Sequence, residues 1–146
     1  KKRGNIVFRG IALGIAQGAL DEAVAYTSQR TQFGQTISRF QIARGMVADM
    51  TASVEAARSL LYRSVAIAIN NDDRARAFAS MAKLVCTNTA MSVTTDAVQL
   101  HGGYGYTCDY PVERMMRDAK VTQIWEGTNQ IQQLLIAKHA YAAYET

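Results

Sequence analysis

The 146-residue chain has one proline, two cysteines and only 19% charged residues. With Pro111 alone unable to donate a backbone N–H, long stretches are left free to be helical. Cys86 and Cys108 make no metal-ligand spacing, and neither His101 nor His139 has a partner at such spacing. Two free thiols in a reducing compartment are therefore expected, the cytoplasm or, in a eukaryote, the mitochondrial matrix. No apolar run approaches the ~18 residues of a membrane span. The net charge of +4 is scattered rather than clustered, so it is weak evidence for nucleic acid, and an anionic small molecule or an acidic protein partner suits it equally well. The basic start "KKRGN" is followed by an apolar segment that Arg9 interrupts, so it reads as a linker entering a helix and not as a signal peptide. Nearly half the residues are hydrophobic, enough for one domain with a real core.

What is present is helical periodicity. From about Asn5 to Arg30, Phe8, Ile11, Ile15, Leu20 and Val24 recur with alanine and glycine between them. The run "TQFGQTIS" breaks that pattern at Gly34, and Ser38 with Gln41 three residues later has the form of a capping box. A second helix carries Ala43, Val47, Met50, Val54, Ala57, Leu61, Ser64 and Ala68. Its steps of four and three draw one long apolar seam. "NNDD" (70–73) turns the chain into a third helix, with Phe78, Ala82, Val85, Thr89, Val93, Ala97 and Leu100 on one face. "HGGYGYTCDYP" ends it, and Pro111 suits the first position of a short basic helix, "VERMMRDAK". "VTQIWEG" reads as non-helical, and Thr128 as the cap of a last helix with Ile131, Leu134 and Leu135. These elements predict an all-α, antiparallel up-and-down bundle forming a single domain over 1–146, with no sheet.

Three short stretches invite a chemical reading. "HGGYGY" offers two of the three glycines of a dinucleotide fingerprint, but it follows a helix and not a strand, so that reading fails. Its glycines either cap a helix or let a cofactor approach the backbone. "RTQFG" sets Arg30 beside Phe33 at a helix end, a combination able to grip a phosphate and a flat ring, or simply to end a helix. "IWEGTNQ" places Glu126 between an indole and a glycine, where it is either a loop carboxylate or a base in an apolar pocket. No Ser/His/Asp set and no metal cluster is visible.

Taken in order, "RTQFG", Gln41 ahead of "ADM", "EAAR", "AK" (82–83), "QLHGGYGY", "PVERMMRDAK" and "IWEGTNQIQ" resemble the C-terminal helical domain of acyl-CoA dehydrogenases, from about Leu13 to His139. The resemblance implies FAD as cofactor, a homotetramer, and an N-terminal helical and a middle β domain that this chain does not contain. It implies dehydrogenation of an acyl-CoA thioester to a trans-2-enoyl-CoA, with electrons passing to electron-transfer flavoprotein. Glu126 falls on the family's α-proton base, and Trp125, Glu126 and Gly127 fall at the substrate. Arg30 falls on a contact to the FAD pyrophosphate, and Gln32, Phe33, Gln99 and Gly103 on further contacts to the FAD of a neighbouring subunit. Thr128 and Gln130 fall on contacts to the chain's own FAD. Trp125 stands where tyrosine is common, and Asn5 near where many members carry an arginine. A non-catalytic assembly domain, an acyl-CoA oxidase and a flavin monooxygenase on the same scaffold are the alternatives. A monooxygenase needs no α-proton base, so Glu126 counts against it.

Overall fold

A computed structural model describes residues 4–142 and 144, with side chains from Arg9 onward. Lys1, Lys2 and Arg3 lie outside the described residues, as do the side chains of Asn5 and Phe8. Three long helices, α1 (Gly4–Gln29), α2 (Gln41–Ile69) and α3 (Ala75–His101), run up, down and up. A single turn, α4 (Gly103–Tyr106), and two shorter helices, α5 (Val112–Thr122) and α6 (Asn129–Ala142), complete the bundle. Among the described residues no helix is long and apolar enough to cross a membrane.

The α2 seam is buried as its spacing predicts, through Ala43, Met50, Val54, Ala57, Leu61 and Ser64. Helix α3 behaves differently because it is central, packing against α1, α2, α5 and α6. It buries residues well beyond the expected face, among them Ala77, Lys83, Cys86, Thr87, Ala90 and Thr94. Buried threonines are tolerable there because each hydroxyl bonds back to its own helix: Thr87 donates to Lys83 O at 2.9 Å and Thr94 to Ala90 O at 2.7 Å.

In α1 the expected face is displaced. Ala12, Leu13, Ala16, Ala19, Leu20 and Ala23 form the buried stripe, while Ile11 and Val24 lie outside it. Alanine lets helix axes approach closely, so the stripe facing the bundle combines four alanines with Leu13 and Leu20, while Ile11 and Val24 face outward.

Two expectations about the α1–α2 connection are corrected. The expectation of no sheet fails at one place: Thr31–Gln32 (β1) and Gln35–Thr36 (β2), two residues each, pair as a small antiparallel hairpin. Phe33 (φ 51°) and Gly34 (φ 78°) occupy its turn, both at the positive φ that so tight a hairpin requires. Nor does a capping box form. Ser38 lies within a 3-10 turn, Ile37–Arg39, its hydroxyl 3.0 Å from that of Thr36, and Phe40 precedes α2 without a side-chain cap. The 3-10 turn carries Ser38 out of the position from which it would reach the first N–H groups of α2.

Pro111 takes helical backbone angles at the mouth of α5, and its carbonyl accepts from Met115 N at 3.0 Å. Helix α5 extends through Thr122, two residues into the stretch expected to be non-helical. The Thr128 cap forms, its hydroxyl accepting from Ile131 N at 3.4 Å.

Candidate functional site

Two features carry chemistry, and they lie apart. The first is an open cleft of about 520 Å³ where α1 and α3 both end. Because α1 and α3 run in the same direction, residues about 70 apart in sequence meet there. Arg30, Gln32, Gln99 and Gly103 all line it.

Arg30 follows the last turn of α1, its N–H bonded to Tyr26 O and its carbonyl accepting from Ile37 N, both at 2.9 Å. Its guanidinium lies 5.3 Å above the Tyr104 ring. Among the described residues no ion pair engages it. The aromatic floor beneath consists of Tyr26 stacked on His101 at 4.1 Å, with Tyr110 edge-on to both. Burial pushes the Tyr26 phenol above its usual range, and the Arg30 charge partly offsets this. His101 is 3% exposed, with Nδ1 2.8 Å from Ala97 O. Gly102 (φ 62°, ψ −141°) closes α3 in a backbone conformation open chiefly to glycine, though not in the left-handed helical form of the usual glycine cap. A side chain on Gly103 would meet only open space, whereas Gly105 is wedged against Val98 and His101. Phe33 is not part of the cleft lining; it stands 92% exposed at the hairpin tip, edge-on to Phe40 at 6.4 Å.

The second feature is the turn between α5 and α6. Glu126 (φ 51°) and Gly127 (φ 89°) both take left-handed backbone there. For a glutamate that costs on the order of 1–3 kcal/mol, and it persists only where the surroundings fix it. Within this chain the Glu126 side chain is exposed and Trp125 half-buried. The bundle by itself therefore makes no dry pocket around the carboxylate.

What fixes the turn is a network that the sequence reading did not assign. Buried Lys83 donates to Asn129 Oδ1 at 2.7 Å and to Gln123 O at 3.3 Å. Asn129 Nδ2 donates to Thr87 Oγ1 at 3.0 Å and to Asn88 Oδ1 at 2.8 Å. Desolvation holds the Lys83 ammonium below its ordinary pKa. The sequence offers only a lysine in a helix rich in threonine, and its partner 46 residues away is not legible there. Thr128 and Gln130 flank this network at the mouth of α6 and do not line the cleft. From Thr87 to His101 along α3 is roughly 20 Å, so one bundle presents two separate surfaces.

The sequence profile described as "Acyl-CoA dehydrogenase, C-terminal domain" matches residues 2–141. The chain belongs to the acyl-CoA dehydrogenase family. It is 51% identical over 138 residues to the short-chain-specific acyl-CoA dehydrogenase of Clostridium acetobutylicum, covering 92% of this chain and 35% of that protein. The butyryl-CoA dehydrogenase structure from Megasphaera elsdenii superposes with a TM-score of 0.92 at 44% identity, over 96% of this chain and 36% of that one. An FAD complex of PigA superposes with a TM-score of 0.86 at 29% identity, over 90% of this chain and 34% of that one. The chain thus spans about a third of the length of the curated relatives it matches.

This family member has what an FAD diphosphate needs at the α1–α3 cleft: an arginine that no ion pair engages among the described residues and a glycine turn with open space before it. Asp109 on the cleft wall opposes an anion, its carboxylate charge left in place by the Thr107 hydroxyl that donates to it at 3.0 Å, so the favourable charge comes from Arg30. The residues present fit the group.

Proposed function

We propose that this chain is the helical C-terminal domain of an FAD-dependent acyl-CoA dehydrogenase, working with an N-terminal helical and a middle β domain of the same enzyme in a homotetramer. The observation that carries the proposal is Glu126 itself, an exposed carboxylate on left-handed backbone whose turn is anchored at both ends. Strain of this kind concentrates where a side chain must be presented in one direction.

The Glu126 carboxylate takes the α-proton of the acyl thioester. Bound FAD would supply the acceptor for the hydride that leaves the β-carbon, and electron-transfer flavoprotein would be the onward acceptor of the two electrons. The electron pair of the broken Cα–H bond becomes the new double bond, and a trans-2-enoyl-CoA leaves. Among the described residues the Glu126 N–H meets no acceptor, so it is free to receive the thioester oxygen as charge develops there. Trp125 and Gly127 border the acyl group, and closure by substrate and by the remaining domains supplies the dryness that the lone bundle lacks. Arg30, Gln32, Phe33, Gln99 and Gly103 hold the FAD of a neighbouring subunit, and Thr128 and Gln130 hold the chain's own. Exposed Ile42, Ile69 and Leu134 are then buried by the other domains and subunits. The enzyme works in the cytoplasm, or in the mitochondrial matrix of a eukaryote.

The test is Glu126→Gln in the full-length flavoenzyme, read by stopped-flow bleaching of the flavin with bound FAD measured separately. Flavin reduction by acyl-CoA is expected to fall ~10²–10⁴-fold, the usual worth of a positioned base, with FAD content unchanged. Reduction at the parent rate would remove the base from this domain and leave Glu126 a loop carboxylate.

A further inference from the structure

Lys83 is 5% exposed in the middle of α3, and no carboxylate pairs with it among the described residues. A lone ammonium is an expensive way to fill a core position that methionine would fill as well. What an ammonium adds is several donors on one atom, and here two of them are used on two different elements. One reaches the Gln123 carbonyl just past the end of α5, and the other reaches the Asn129 side chain that opens α6. Asn129 N donates to the same Gln123 carbonyl at 3.0 Å. The five residues between, Ile124 to Thr128, thus form a loop closed at its base by one carbonyl that two donors share.

The rest of the network holds Asn129 in register. Its amide spans Thr87 and Asn88 on α3, and Gln123 Nε2 also donates to Asn88 Oδ1 at 2.9 Å. Inside the loop, Gln132 Nε2 donates to Gly127 O at 3.3 Å. The loop's left-handed pair, Glu126 and Gly127, is therefore suspended between two points fixed to the same helix.

The geometry points to Lys83 as a positioning residue: with Asn129 it clamps the base of the 124–128 loop and so sets the direction of the Glu126 carboxylate. Lys83 touches no reacting atom in this arrangement and acts only through the loop. The inference rests on the proposal that Glu126 is the base, and the two are separable by experiment.

Lys83→Met keeps the volume and removes the donors. The fold should survive, because Asn129 Oδ1 lies 3.1 Å from Thr87 Oγ1 and the Gln123 carbonyl keeps the Asn129 N–H. In this chain, amide hydrogen exchange at the bonded N–H groups of Ile124, Trp125 and Asn129 should quicken at least ~10-fold while α2 and the rest of α3 stay as protected as in the parent. Emission from Trp125, the only tryptophan, should shift with it. In the full-length flavoenzyme, flavin reduction should fall ~10–10²-fold, with the KM for acyl-CoA and the FAD content nearly unchanged, as expected when a base is displaced by about 1 Å. Asn129→Ser, which removes the acceptor from the opposite side, should give the same loop exchange. Lys83→Arg, which keeps a donor pair, should recover part of the rate.

Unchanged exchange at Ile124, Trp125 and Asn129 in both variants overturns the inference, because the loop is then held without the clamp. Failure of both variants to fold overturns it too, because the pair then holds the bundle and not the loop. If Glu126→Gln keeps full activity while Lys83→Met still loosens the loop, the clamp stands and the assignment of Glu126 as base falls.

Discussion

Gly105 offers the sharpest test of how the α1–α3 cleft is built. It sits in the one-turn helix α4, and a Cβ there would lie 2.6 Å from Val98 O, 2.8 Å from His101 Cβ and 3.0 Å from Val98 Cα. Two of those atoms are backbone of α3 and the third is the root of a buried side chain, so none can swing aside. In Gly105→Ala, α4 must back away from α3 by several tenths of an ångström, taking Tyr104 with it. Overpacking of this kind costs about 1–3 kcal/mol. For a chain of this length each kcal/mol moves Tm by roughly 3–4 °C, so a fall of about 3–12 °C is expected. Gly103→Ala is the internal control. A Cβ there meets nothing within 4 Å, so no loss of stability from packing is expected. The measurement is thermal unfolding followed by circular dichroism at 222 nm for parent and both variants. A Gly105→Ala protein melting within about 1 °C of the parent, or two variants shifted alike, would falsify the claim that contact with Val98 and His101 fixes α4. The same pair then serves function. In the full-length enzyme Gly103→Ala should weaken FAD retention without loss of stability, because its new methyl enters the cleft.

Arg30→Ala should lower the FAD content of the purified full-length enzyme while leaving the flavin reduction rate per bound FAD near the parent value; equilibrium dialysis with bleaching kinetics checks it, and a normal FAD content would move the diphosphate elsewhere. Only one thiol of the native chain should react with maleimide, at exposed Cys108, and the second only after unfolding. Mass spectrometry counts the labels. Burial pushes the Cys86 thiol up to about 11, so the unfolded chain releases this proton first. The associated stability is full below the ordinary thiol pKa of about 9 and is lost as pH rises toward 11, by roughly 3 kcal/mol at most. Urea midpoints at pH 8 and pH 10.5 should separate in the parent and less in Cys86→Ala; equal separation would assign the alkaline loss to other groups.

The sequence by itself determined the helices and their order, because local spacing and breakers suffice where a helix buries one face. The α2 seam from Ala43 to Ala68 is such a case: one side faces the bundle, and the period of the apolar residues reports it directly. The glycine end of α3 and the Thr128 cap were likewise legible, because each depends on residues within three or four positions. So was Glu126 as a candidate, since the resemblance runs along the chain and needs no fold.

Only the tertiary structure decided the rest. Helix α3 has neighbours on several sides, so no single face could predict which of its residues are buried. In α1 four alanines with Leu13 and Leu20 turned inward and Ile11 and Val24 outward, because the buried stripe is set by where α1 packs and not by side-chain size. The hairpin at Phe33 was hidden because its strands are two residues long, too short for an alternating pattern. Arg30 and Gln99 meet because α1 and α3 run in the same direction with α2 returning between them. Lys83 and Asn129 meet across 46 residues because α5 and α6 both pack on α3. Hydrogen bonds and clefts of that kind join residues by where the chain returns in space, and spacing along the sequence carries no record of that return.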